Sequence, residues 1–124
     1  MSHFEELGGE PKLRAIVDDF VDRCFDDTMI GFLFARADRD RIKQFEYQHA
    51  AEHLGADIAY QGRPLDVAHR PHRIFGGQFS RRRQILIDTL RDHEAPESVI
   101  DAWIGHQDSL RGLITKDPDS NCQG

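Results

Sequence analysis

The chain has 124 residues, enough for one domain with its own core, and 39% of them are hydrophobic. A formal net charge of −6 argues against a nucleic-acid-binding surface, which is normally basic. No apolar run approaches the ~18 residues of a membrane span, and the N-terminus lacks a signal-peptide core, so a cytoplasmic chain without a membrane partner is expected. The cysteines Cys24 and Cys122 lie on an apolar helix face and in a polar tail, which fits a reducing compartment rather than a disulfide.

Met1 to Glu6 is short and mixed, and Gly8-Gly9 breaks the chain. From Glu10 to Asp26, apolar residues at Leu13, Ile16, Val17, Phe20, Val21, Cys24 and Phe25 step by threes and fours, which predicts one long amphipathic helix with Pro11 in its first turn. Met29 to Phe34 is an apolar, glycine-broken cluster expected to turn the chain and plug one end of the core. Asp38 or Asp40 can cap the next helix, which is expected to run to about Leu54 and stop at Gly55. Its inner face should present Ile42, Phe45 or Glu46, His49, Ala50 and His53, a polar set for a surface meant to be buried.

Tyr60 to Phe79 holds the turn formers Gly62 and Pro64, an apolar run at Leu65, Val67 and Ala68, then His69, Pro71 and the pair Gly76-Gly77. Proline and glycine punctuate local structure, so this reads as a short helix or turn between longer helices. Gln78 to His93 resumes the helical period through Phe79, Leu86 and Leu90, and Ala95-Pro96-Glu97 opens a last helix with the stripe Val99, Trp103, His106 and Leu110. No alternating strand pattern and no internal repeat is found. The prediction is an all-α domain over residues 1–116, with a polar C-terminal tail at 117–124. Arg81-Arg82-Arg83 reads as a solvated helix face or a local anion site.

Seven histidines carry most of the chemistry. His3 and His93 read as solvent residues, and His106 as a hydrogen-bonded residue at the core edge. His49 and His53 lie four apart on one helical face, a spacing that can chelate a metal, and Glu46 with His49 forms a Glu-x-x-His pair of the kind found in di-iron bundles. Such bundles need a second pair, and Asp66-x-x-His69 is the nearest imitation. His69 follows an apolar run, and a neutral imidazole is a common metal ligand because it offers a lone pair without a charge to bury.

The order of these pieces resembles the truncated haemoglobins, the small two-over-two helical globins. Phe4-Glu-Glu-Leu-Gly-Gly-Glu10 is similar to that family's opening glycine motif, Ala15 to Phe20 to its second helix, and Phe32-Leu-Phe34 to the phenylalanine that wedges against the haem. Arg41-Ile-Lys43 with His53-Leu-Gly55 resembles the distal helix and its stop, and Tyr60-Gln-Gly62 the Tyr-x-Gly turn. His69 falls where the proximal histidine is expected, Ile74 and Phe79 follow at matching spacing, and the resemblance covers about residues 4 to 114. It implies a helical sandwich around haem b (iron protoporphyrin IX), with His69 on the iron. Phe20, Phe34, Ile42, Ile74, Phe79, Leu86 and Trp103 are then expected to line the slot, and Tyr60, His72 and Arg73 to meet the propionates.

The chain departs from the family at the distal side. Val21 stands where a tyrosine often stabilises bound oxygen, Ile42 takes the first distal position, Glu46 replaces the usual glutamine, and His49 stands where an aromatic is common. An ionised Glu46 would only accept hydrogen bonds and repel a partly negative ligand, whereas a protonated one could donate. The resemblance therefore implies a binder of small gaseous or anionic ligands such as oxygen, nitric oxide, carbon monoxide or cyanide, with an atypical distal pocket. It also implies a reductase as partner to the iron and a monomer or weak dimer. The alternatives are a haem enzyme acting on peroxide or nitrogen oxides, with Glu46 or His49 as acid or base, and a non-haem metal protein using Glu46, His49 and His53.

Overall fold

The computed structural model describes residues 2–56 and 76–110, and every regular element among them is helical. The order is α1 (His3–Leu7), α2 (Gly9–Asp26), a 3₁₀ turn (Gly31–Phe34), α3 (Arg39–His53), α4 (Gly76–Asp92) and α5 (Glu97–Ser109). Tyr60, His69, His72, Arg73, Ile74, Cys122 and the tail at 117–124 lie outside the described residues.

The predicted stripe of α2 becomes the core. Leu13, Ile16, Val17, Phe20, Val21 and Cys24 are all buried, with Leu13 and Ile16 at 0% exposure. Burying side chains of that size contributes about 1.5–3 kcal/mol each. The helix packs mainly against α3 and α4, while α5 lies against α4, α1 and α3. Ile85, Leu86 and Leu90 from α4 and Val99, Ile100 and Trp103 from α5 join the same buried cluster. Cys24 sits inside it, and burial pushes its thiol up to about 12, which makes it a packing residue rather than a nucleophile.

Two expectations are corrected at the start of the chain. The stretch that reads as short and mixed holds a helix: Ser2 accepts from the Glu5 backbone N–H at 3.1 Å and caps the five-residue α1. The Phe4 N–H then donates to the Leu54 carbonyl at 2.9 Å, tying α1 to the end of α3. The long helix also begins at Gly9 rather than Glu10.

Asp38 caps α3 by accepting from the Arg41 N–H at 3.2 Å. Its far end closes as the sequence pattern predicts. Gly55 takes φ 102°, its N–H donates to Glu52 O at 3.2 Å, and the Ala56 N–H donates to Ala51 O at 2.8 Å. This is the Schellman arrangement, in which glycine accepts the left-handed conformation without a Cβ penalty. The short 3₁₀ turn is anchored from outside. Asp27 Oδ2 accepts from the Met29 and Ile30 N–H groups at 3.0 and 3.1 Å, and its Oδ1 accepts from Arg81 Nη2 at 2.6 Å.

Candidate functional site

Helix α3 has two working faces, where the sequence suggests one inner face. Tyr47, Ala50, Ala51 and Leu54 are buried in the common core. The Tyr47 hydroxyl donates to Glu10 at 3.3 Å, and the Arg14 guanidinium lies 3.9 Å from its ring centroid. Tyr47 is absent from the expected inner set, although its spacing of three, four and seven to Ala50, Ala51 and Leu54 is the signal for it. The second face holds Ile42, Phe45, Glu46 and His49 half-buried, with His53 exposed at its end.

Opposite that second face stand α4 and α5. Phe79 and Leu86 are 2% and 0% exposed, and Arg82 lies between them on the same side of α4. Arg82 Nη2 donates to Glu46 Oε1 at 3.0 Å, Nη1 donates to Gln107 Oε1 at 2.5 Å, and its guanidinium lies 4.9 Å from the Phe20 ring centroid. Glu46 is therefore neither a bare carboxylate nor dependent on a proton to be satisfied.

The basic triplet is neither a solvated face nor one anion patch. Arg81 pairs with Asp27 at 2.6 Å, Arg82 with Glu46, and Arg83 with Asp108 at 2.8 Å, so each arginine reaches a different element. His93 is corrected in the same way. Its Nε2–H donates to Asp19 Oδ2 at 2.8 Å, and Asp19 also takes two bonds from Arg23 at 3.0 Å. Burial pushes the Asp19 carboxyl up, but the bonds from Arg23 and His93 outweigh it and hold the group below its ordinary value.

Three histidines gather where α3 meets α5. The His53 and His106 rings stack with centroids 3.7 Å apart, and the His49 ring lies 5.2 Å from His106. His53 Nε2–H donates to the Ala102 carbonyl at 3.2 Å, while His106 Nε2 is buried with no partner among the described residues. Burial, then the neighbouring His53 and His49, lowers the His106 pKa to about 4, so the ring is neutral at pH 7. Burial also lowers the pKa of His49, opposed by Glu46 and reinforced by Arg82. His106 was expected to be hydrogen-bonded, and its Nε2 has no such bond among the described residues.

No group of three His, Cys, Asp or Glu side chains among the described residues could hold a metal ion. Glu46 turns to Arg82 and His53 turns to Ala102, so the non-haem set of Glu46, His49 and His53 is not assembled there. Of the other predicted residues, Phe20, Phe79, Leu86 and Trp103 are buried, while Phe34 is partly buried and stacks on Phe25 at 4.8 Å. Its neighbour in the motif, Phe32, is 64% exposed. Among the described residues, no helix is long and apolar enough to cross a membrane.

The family model for bacterial-like globin matches residues 2–116 of this chain. The chain belongs to that family. This globin is 24% identical over 104 residues to the group 1 truncated haemoglobin of Mycolicibacterium paratuberculosis, covering 84% of this chain and 76% of the relative. It superposes on the ferric truncated haemoglobin of Tetrahymena pyriformis with a TM-score of 0.86 at 22% identity, covering 94% and 100% of the two chains. Against the haemoglobin of Chloroflexus aurantiacus the TM-score is 0.82 at 22% identity, covering 94% and 99%. The all-α, two-over-two fold is thereby shown. Family membership implies a haem protein that binds small ligands.

Proposed function

We propose that this globin binds iron protoporphyrin IX against the second face of α3, beside the Glu46–Arg82 pair that ties this face to α4, with His69 as the protein ligand to the iron. The observation that carries the reading is the split of α3 into a core face and a half-buried face of Ile42, Phe45, Glu46 and His49, set against Phe79 and Arg82. Porphyrin needs apolar walls with a few placed polar groups, and these residues have that composition. When bound, the iron supplies a coordination position for a diatomic or small anionic ligand.

The chain's own residues then have separate tasks. Phe20, Leu86 and Trp103 wall the slot from the core side, and Ile42, Ile74 and Phe79 close it. Phe34, held by its stack on Phe25, wedges at the edge. Tyr60, His72 and Arg73 bind the propionates. Val21 offers no hydrogen-bond donor, so polar control of the ligand falls to Glu46, His49 and the groups they touch.

The absorption spectrum of the purified protein, before and after haemin is added, tests the reading. A Soret band that saturates at one haem per chain is expected, and a chain that leaves added haemin spectrally free refutes it. Turnover of peroxide or nitric oxide in wild type, Glu46→Gln and His49→Phe then separates a ligand binder from a haem enzyme. Rates no higher than those of free haemin support the binder.

A further inference from the structure

We propose that Arg82 selects the ligand: it draws small anions, and diatomic ligands that gain negative charge on binding, into the pocket, with Glu46 as its internal competitor. The inference rests on the haem reading above and deepens it.

The three arginines of the basic triplet differ in direction. Arg81 and Arg83 are each 38% exposed and pair with Asp27 and Asp108. Arg82 is 19% exposed and points into the molecule between Phe79 and Leu86, beneath the Phe20 ring. Burying a guanidinium costs free energy, and an apolar side chain of similar volume would often be as stable or more so there. Stability alone therefore does not account for an arginine at this position.

Chemistry suggests another role. A guanidinium carries five N–H donors in a fixed planar fork and is weakly hydrated, so it suits a small anion in a water-poor pocket. Among the described residues, Glu46 and Gln107 take two of those donors. Gln107 is neutral, so among the described residues Glu46 is the one carboxylate that balances Arg82 directly. Glu46 belongs to the α3 face proposed to cover the ligand, and the pair places the cation beside that face. The two partners act in opposite directions on a negative ligand. The carboxylate repels it and occupies the guanidinium, while the guanidinium attracts it.

That opposition gives the test. Azide binding to the ferric protein and carbon monoxide binding to the ferrous protein are titrated in wild type, Arg82→Met and Glu46→Gln. Azide affinity should fall about tenfold to a hundredfold in Arg82→Met, the range of a charge-assisted hydrogen bond. It should rise in Glu46→Gln, which frees the fork and removes a repelling charge. Carbon monoxide, which is neutral, should bind all three proteins alike, but its C–O stretching frequency should rise in Arg82→Met as a positive charge leaves its far end.

Apoprotein unfolding midpoints report independently on the Glu46–Arg82 coupling. If Arg82→Met does not fold, Arg82→Lys replaces it, because lysine keeps the charge without the fork and should give an intermediate azide affinity. Equal losses for azide and carbon monoxide would overturn the inference, since the pair would then only hold helices together. So would a Glu46→Gln variant that binds azide more weakly than wild type. A wild-type protein with no Soret band after haemin addition would refute the haem reading itself and this inference with it.

Discussion

Asp27→Asn is expected to destabilise the fold by about 2 kcal/mol, because Asp27 uses both carboxylate oxygens in different jobs. Its side chain is 6% exposed. Oδ2 accepts from the Met29 and Ile30 N–H groups at 3.0 and 3.1 Å, and Oδ1 accepts from Arg81 Nε and Nη2 at 2.9 and 2.6 Å. Asparagine keeps one oxygen and replaces the other with an NH₂ that cannot accept. Either the turn or Arg81 loses its acceptor, and the surviving bonds lose their charge assistance, worth about 1 kcal/mol on the buried backbone side. The Arg81 side recovers much of its share by rehydration, because that side chain is 38% exposed. Urea unfolding at pH 7 should show a lower midpoint with an unchanged m-value, a shift of about 1 M.

The pH dependence of this pair has a definite sign. The Arg81 hydrogen bonds, aided by the two backbone N–H groups and opposed by burial, hold the Asp27 carboxyl below its ordinary 3.8. Its stabilisation is therefore fully present above that value and is lost as pH falls through the lower folded-state pKa. The gap between wild type and Asp27→Asn should persist at pH 5 and narrow below pH 3.8. A gap under about 0.5 kcal/mol at pH 7 would refute the reasoning, because surface changes of no consequence lie within that range. The same variant should release haem faster, since the turn it anchors carries Phe34.

Leu86→Ala should cost about 3 kcal/mol and lower the melting temperature by roughly 10 °C, because Leu86 is 0% exposed and its loss leaves a cavity; calorimetry measures it. Gly31→Ala should destabilise despite the higher helix propensity of alanine, since its Cβ would stand 2.6 Å from the Phe25 carbonyl oxygen, and denaturant unfolding would expose an error as a stabilised variant. His106 is neutral in the fold, with a pKa lowered from 6.5 to about 4, so an unfolded chain takes up a proton that the folded one refuses. Its contribution to stability is lost as pH falls from about 6.5 towards 4, and His106→Phe should flatten that slope in midpoints measured at pH 7 and pH 5; an unchanged slope would contradict it.

Much of the fold is legible in short-range pattern. The α2 stripe, the Asp38 cap and the Gly55 stop are decided within one or two helical turns, and the structure has all three. α1 is too short to display a period, yet Ser2-His3-Phe4-Glu5 is a capping pattern that announces it. The distal side was harder for a physical reason. Glu46 and Arg82 stand 36 positions apart, and no periodicity says that a carboxylate on α3 will meet a guanidinium on α4. The spacing of Phe79, Arg82 and Leu86 did hold a clue, since it puts the middle residue of a basic triplet on an apolar face. His93 reads as a solvent residue for the same reason, because its partner Asp19 lies 74 positions away.

The haem assignment turns on His69, and replacing it with glycine tests it most directly. Purified wild type and His69→Gly are titrated with haemin, and their ferric and ferrous spectra are recorded with and without added imidazole. Wild type should bind one haem per chain. The variant should hold it weakly with an altered ferrous spectrum, and free imidazole should restore the wild-type spectrum by filling the space left by the side chain. Full haem content with an unchanged ferrous spectrum in His69→Gly, and no response to imidazole, would contradict His69 as the ligand to the iron.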